Sequence, residues 1–345
     1  MTERVHPVLV AAATYRQQLL RNEDAAVRRM VTAYGNAYAR MGAQIEALRD
    51  SLQGGPMGLG DAAQLIRLRS LREQIQLEVS RFGVEADREL TQLARESMVL
   101  AINHSTGLVE ATLTSPQARQ AVMASFSSLN PAQIETMVGF LAPDSPLHTS
   151  LTAQLGPAVA EVVGDKLIDG IARGFNPRKT GAIVRRELGV GLAWAINTTR
   201  TANMYAYREA TRANYAANSR VVSGWTWYAT LDRRVCGNCL SRHGSKHSNE
   251  ETLNGHHQCR CTMLPNLPLA ASLGLELPEI APGEQWFAQQ PAEVQRDILG
   301  PGMLAAWLDG AVTFDQFSSE YEHPVYGTMQ RMPSMRELGL EAYYP

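Results

Sequence analysis

The four cysteines of this 345-residue chain fall within one short stretch, at Cys236, Cys239, Cys259 and Cys261. Cys236 and Cys239 form a C-x-x-C pair, and after an intervening loop His256 and Cys259 form an H-x-x-C pair. A tight turn that presents two such ligands from one knuckle of backbone supplies half of a tetrahedral zinc shell, and two turns complete it. The spacing therefore predicts a structural zinc site built from Cys236, Cys239, His256 and Cys259, with Cys261 and His257 as alternates. Cys259 and Cys261 are two residues apart, so in an extended segment they would face opposite ways and not easily share an ion. Adjacent His256 and His257 are likewise hard to use together, and His243 and His247 lie nearby as further donors. Disulfide pairing, or burial of four thiols with no shared role, stays open. A reducing cytosol disfavours disulfides, and the N-terminus lacks the basic region and cleavage site of an export signal.

A thiol-rich set of this kind closes the coordination shell and generates no activated water, so it predicts no catalysis. The sequence contains no Walker-type phosphate loop, no G-x-S-x-G elbow and no H-E-x-x-H helix. The sharpest enzymatic rival is a metal-dependent nuclease of His-Asn-His type around His256 and His257. It needs a second His or Asn on a downstream helix, whereas Asn266 precedes Leu-Pro and the next histidine is His323. A zinc-stabilised DNA-binding module is the third reading.

The knuckles need a platform. Residues 225–231 (WTWYATL) alternate like a half-buried strand, and CTMLP after the second knuckle reads as its return. Such a β-hairpin is too small for a core of its own, and metal coordination would replace the missing burial. Upstream, Val27, Val31, Tyr34, Tyr38, Met41, Ile45, Leu48 and Leu52 step by four and three, the seam of a helix over about residues 8–53. A glycine-rich break at 54–60 precedes a second seam through Leu65, Leu68, Ile75, Val79, Phe82, Ala86, Leu90 and Leu93, which predicts an antiparallel helical hairpin. Four cap-plus-proline pairs follow at Ser115, Asn130, Ser145 and Asn176 and predict short helices over 116–128, 131–141 and 147–174, then a basic helix and another over 191–218. After Pro265 the chain reads as a linker, two short helices and a proline-punctuated tail. Trp286, Phe287, Trp307, Phe314 and Phe317 there are either anchors for a partner or a small local core. The expected class is mainly α, α+β overall, in four segments: a hairpin (1–113), a helical body with basic helices (114–224), the β/zinc-knuckle element (225–265) and a small helical acidic C-terminal region (266–345).

Charge is unevenly placed. Residues 1–165 carry net charge -3, residues 166–260 carry 15 Lys and Arg against 6 Asp and Glu, and residues 261–345 carry 3 against 11. The basic segment marks a face for a polyanion or an acidic partner, or simply a solvated helix surface. Its candidate contacts are Arg178, Lys179, Arg185, Arg186, Arg208 and Arg212, interleaved with Tyr205, Tyr207 and Tyr215. No run reaches the roughly 20 apolar residues of a membrane span. The expected location is therefore a cytoplasm or a particle assembled there.

The order of Trp227, Asp232, Arg234, Cys236, Cys239, Gly244, His256, Cys259, Arg260, Cys261 and Pro265 resembles the phage Mu F-like (MuF) minor head protein, or head morphogenesis, family. The likeness covers about residues 160–265, and its most specific part is H-x-x-C-R-C-T. The chain departs from the family pattern at Ala202, where an acidic residue is common, and at His257, where proline is. The pattern around Trp286, Ile298 and Trp307 is similar to the C-terminal region of many such proteins. The resemblance implies a non-enzymatic viral structural protein of the virion, on the capsid interior at the portal vertex and in the host cytoplasm during assembly. Implied partners are the portal protein, major capsid or scaffold proteins, and packaged double-stranded DNA.

Overall fold

The computed structural model describes residues 5–51, 62–138, 142, 144–145, 148–149, 161–162, 165–166, 169 and 177–344. The chain is mainly helical with small antiparallel sheets. In order, the described elements are α1 (Pro7–Ser51), α2 (Ala62–Thr112), α3 (Pro116–Met123), α4 (Pro131–Val138), α5 (Pro177–Ala217), β1 (Gly224–Tyr228), α6 (Gly237–Arg242), β2 (Lys246–Ser248), β3 (Thr262–Asn266), α7 (Pro268–Ser272), α8 (Gly283–Ala288), α9 (Ala292–Leu299), α10 (Pro301–Leu308), β4 (Ser319–His323) and β5 (Gly327–Arg331), with single 3₁₀ turns at Phe314–Phe317 and Glu341–Tyr343. They group into two compact units.

One unit holds residues 21–94 and 139–202. Here α1 and α2 run antiparallel: Arg29 Nε meets Glu89 Oε2 at 2.7 Å and Arg40 Nε meets Glu78 Oε2 at 2.6 Å, so the partner number falls as the chain advances. The α2 seam is the expected one, with Ile75, Val79, Phe82, Ala86, Leu90 and Leu93 all buried. The α1 seam is rotated from its expected phase. Ala26, Met30, Ala37 and Met41 are buried, while Val31 is exposed. Met41 is the expected member that stays in the buried stripe, where methionines alternate with alanines, while Val27, Tyr34 and Tyr38 are half-buried beside it. Ile45, Leu48, Leu52, Leu65 and Leu68 fall outside the described side chains, as does most of the expected helix over 147–174.

The other unit holds residues 1–20, 95–138 and 203–345. Two of the cap-plus-proline signals act as the sequence implies, Ser115 Oγ accepting from Ala118 N at 3.5 Å ahead of α3 and Asn130 Oδ1 accepting from Ala132 N at 3.0 Å ahead of α4, while Pro146 and Asn176 lie outside the described residues. The two helices expected over 177–218 are one, α5. Its C-terminal half presents two faces at helical spacing. On one, Tyr207 bonds His104 Nδ1 at 3.1 Å, Asn214 donates to Ser105 Oγ at 2.8 Å, and Asn218 donates to Ser127 O at 2.9 Å while accepting from Ser127 N at 2.7 Å. The other face, carrying Arg208, Arg212 and Tyr215, meets the cysteine-bearing stretch.

That stretch folds on a three-stranded sheet in the order β2-β1-β3. The pairing of β1 with β3 is antiparallel, with Trp225 opposite Pro265 and Trp227 opposite Met263, and β2 adds an edge the sequence did not reveal. Segments 225–265 and 266–345 share one core, in which Trp225, Trp227, Cys239 and Leu240 pack with Phe287, Leu299, Met303, Phe314, Phe317 and Leu340. Phe287 and Phe317 are fully buried, and Trp307 meets Phe287 edge-on at 5.3 Å, so these aromatics are core rather than free anchors. A β4–β5 hairpin, not anticipated in the tail, follows.

Candidate metal centre

The first knuckle is the start of α6. Cys236 is its N-cap, and its Sγ accepts from Cys239 N at 3.4 Å, a geometry that turns both sulfurs to one side of the turn. The second knuckle follows from a backbone feature unusual for its residue type. Gln258 adopts φ +58°, and Cys259 N donates to His256 O at 3.1 Å, folding His256 back over Cys259. Gly255 makes the approach possible: a Cβ there would lie 2.6 Å from Cys259 Sγ.

These turns bring five donors together. His256 Nε2 lies 3.1 Å from Cys236 Sγ and 3.2 Å from Cys239 Sγ, and Cys239 Sγ lies 3.7 Å from Cys259 Sγ. Among the described residues, two groups of three donors are each within 4.8 Å of one another: Cys236, Cys239 and His256, and Cys239, Cys259 and Cys261. Cys239 belongs to both. Cys259 and Cys261, expected not to share an ion easily if their segment were extended, both fall in one group with Cys239, and β3 begins only at Thr262. His256, not His257, faces the sulfurs. Its Nδ1 donates to His257 O at 2.7 Å, leaving Nε2 as the donor atom, whereas the His257 ring lies edge-on to His323 at 4.9 Å.

The donor set fits zinc. A tetrahedron of Zn–S bonds near 2.3 Å has edges of about 3.8 Å, against the 3.7 Å between Cys239 and Cys259. Protons already compete within the cluster. Contact with the Cys239 thiol pushes Cys236 down to about 5, and contact with the Cys239 and Cys261 thiols holds Cys259 well below its ordinary value. Cys239 is raised by its contacts with the Cys236, Cys259 and Cys261 sulfurs, and Cys261 is raised by burial. Burial lowers the His256 pKa, but the hydrogen bond to Cys236 and the thiolate charges outweigh it and raise the imidazole to about 9. A cation would displace these protons and be gripped by the bases left behind. Cys239, Cys259 and Cys261 are all buried.

Three contacts hold the knuckles. Arg208, buried on α5, donates to Cys259 O at 2.8 Å and to Cys261 O at 3.0 and 2.9 Å. Arg260 grips Asp232 at 2.6 and 2.7 Å, while Asp232 Oδ1 accepts from Arg234 N at 2.9 Å ahead of the first knuckle. Arg212 pairs with Glu209 at 2.9 Å and donates to Asn249 O at 3.2 Å, gripping the loop between the knuckles. Arg208 and Arg212, read in the sequence as surface cations, are thus drawn inward to this loop. Of the other basic candidates, Arg186 is exposed on α5, and the side chains of Arg178, Lys179 and Arg185 lie outside the described ones.

Sequence reasoning missed the roles of Arg208, Gly255 and the Asp232–Arg260 pair. The last was signalled by the positions of both residues within the knuckle pattern, but the first two carry no local mark. No helix among the described residues is long and apolar enough to cross a membrane. Residues 161–264 match the family model described as Phage Mu protein F like protein. No curated protein and no solved structure matches the chain.

Proposed function

Since residues 161–264 belong to the phage Mu F-like family, we propose that the chain is a minor head protein of a tailed phage or prophage, structural rather than enzymatic, with one zinc ion as a clasp. It sits on the capsid interior at the portal vertex, contacts the portal protein and major capsid or scaffold proteins, and serves procapsid assembly, DNA packaging or ejection. Cys236, Cys239, His256 and Cys259 hold the ion, with Cys261 as the substitute. The ion, when bound, supplies cross-linking between two knuckles and no reactive water.

Support comes from the setting of the donor cluster. The sulfurs of Cys239, Cys259 and Cys261 lie inside the core that also contains Trp225, Trp227 and Phe287, with half-buried Cys236 packed against it, which suits a closed structural site rather than one open to substrate. Exposed Arg186 and its basic neighbours on α5 are left as candidate contacts for DNA or the portal. The test has two arms. Purified protein with magnesium or manganese should leave plasmid DNA intact, and nicking would favour the nuclease reading. Cys236→Ser should reduce incorporation into particles, and incorporation at the wild-type level would count against the clasp.

A further inference from the structure

Arg208 is 5% exposed and makes no ion pair with a carboxylate among the described residues. Its neighbour Glu209 is engaged with Arg212. A guanidinium keeps its charge when buried, and a buried charge is costly unless something of opposite sign answers it. What lies against it is the backbone from Cys259 to Cys261. Nε donates to Cys261 O at 3.0 Å, and Nη2 donates to Cys259 O at 2.8 Å and to Cys261 O at 2.9 Å. The fork thus takes two carbonyls, one on either side of Arg260, in the segment whose two sulfurs lie within 4.8 Å of Cys239 Sγ. The approach is tight enough that a Cβ on Gly255 would lie 2.9 Å from Arg208 Nη1.

We infer that Arg208 is the positioning residue of the metal centre, reaching from α5 to hold the backbone of the Cys259–Cys261 segment and to balance the charge of the bound thiolates. This rests on the reading that the cluster holds a metal. A divalent ion with three thiolates and a neutral imidazole has net charge -1, which one guanidinium cancels. The same contacts tie the C-terminal part of α5, from Asn203 onward, to the knuckles within one compact unit. A lysine keeps the charge but cannot reproduce the planar fork.

The test compares wild type, R208Q and R208K as full-length protein. Zinc per chain is measured by native mass spectrometry, affinity by competition with a chelator, and sulfur ligation by the charge-transfer absorption of the cobalt(II) form. Loss of a group that orients ligands typically lowers metal affinity 10–100-fold. R208Q should show a loss of about that size, with weakened sulfur-to-cobalt absorption and unchanged helical circular dichroism. R208K should fall between R208Q and wild type. A metal-bound wild type whose variants match it in affinity and absorption overturns the inference alone. A metal-free wild type overturns the site reading and this inference with it. Should R208Q fail to fold, R208K decides: wild-type affinity and absorption in that variant refute the role of the fork.

Discussion

Replacing Cys239 by serine is the most informative perturbation of the cluster, because Cys239 is the donor common to both groups of three. Structural zinc in small modules binds with an apparent free energy of about 10–16 kcal/mol, so one of four ligands carries a crude share of about 2.5–4 kcal/mol. For a unit of this size a destabilisation of 1 kcal/mol lowers the melting temperature by about 2–4 °C, which gives an expected fall of about 5–16 °C. Serine nearly conserves volume at this buried position, so little of the fall comes from a cavity. Differential scanning calorimetry with and without a chelator separates the causes. The chelator, which removes the whole contribution of the ion, should lower wild type by more than it lowers Cys239→Ser, the difference being the fall assigned to the one lost ligand. If the chelator shifts mutant and wild type equally, or neither, Cys239 is not a ligand and the reasoning fails.

Gly255→Ala should abolish metal binding as fully as a ligand change, since the added methyl would meet Cys259 Sγ at 2.6 Å and Cys259 Cβ at 2.8 Å; chelator competition reads this directly, and wild-type affinity would refute the packing argument. Acid should weaken the fold in a defined window. Burial depresses His104 to about 4 from an ordinary value near 6.5, so the unfolded chain binds more protons between those limits. Stability is then full above pH 6.5 and declines as pH falls toward 4, by about 3 kcal/mol in total. His104→Gln should flatten that part of the melting profile, leaving the similar contribution of His243, which burial also lowers to about 4. The fork from Arg260 holds the Asp232 carboxyl below its ordinary value, so its contribution is present above the usual carboxylate range and is lost on further acidification. Asp232→Asn should remove this limb, and an unchanged acid profile would show that the pair contributes nothing.

Some of the molecule was written plainly in the chain. The four cysteines and His256 announced their cluster because metal-ligand spacing is a local property, fixed by the reach of a single turn. The α2 seam was equally plain, since Ile75, Val79, Phe82, Leu90 and Leu93 are large and regularly spaced. The α1 seam was not, because Ala26 and Ala37 have too little hydrophobic bulk to stand out beside Val27 and Val31. Arg208 looked like a surface cation because its partners are carbonyls more than fifty positions away, and backbone acceptors leave no trace in a sequence. The C-terminal aromatics were ambiguous for a related reason: whether Phe287 and Phe317 dock on a partner or on the knuckles depends on a pairing that no local pattern encodes. His257 and His323, distant in the chain, come together for the same unreadable reason.

Native mass spectrometry of the intact chain, compared with its denatured mass and with thiol alkylation before and after chelation, tests the account most directly. The account predicts one zinc per folded chain and cysteines that become alkylated only once the metal is removed. A native mass equal to that of the bare polypeptide, with the thiols reactive from the outset, would contradict it.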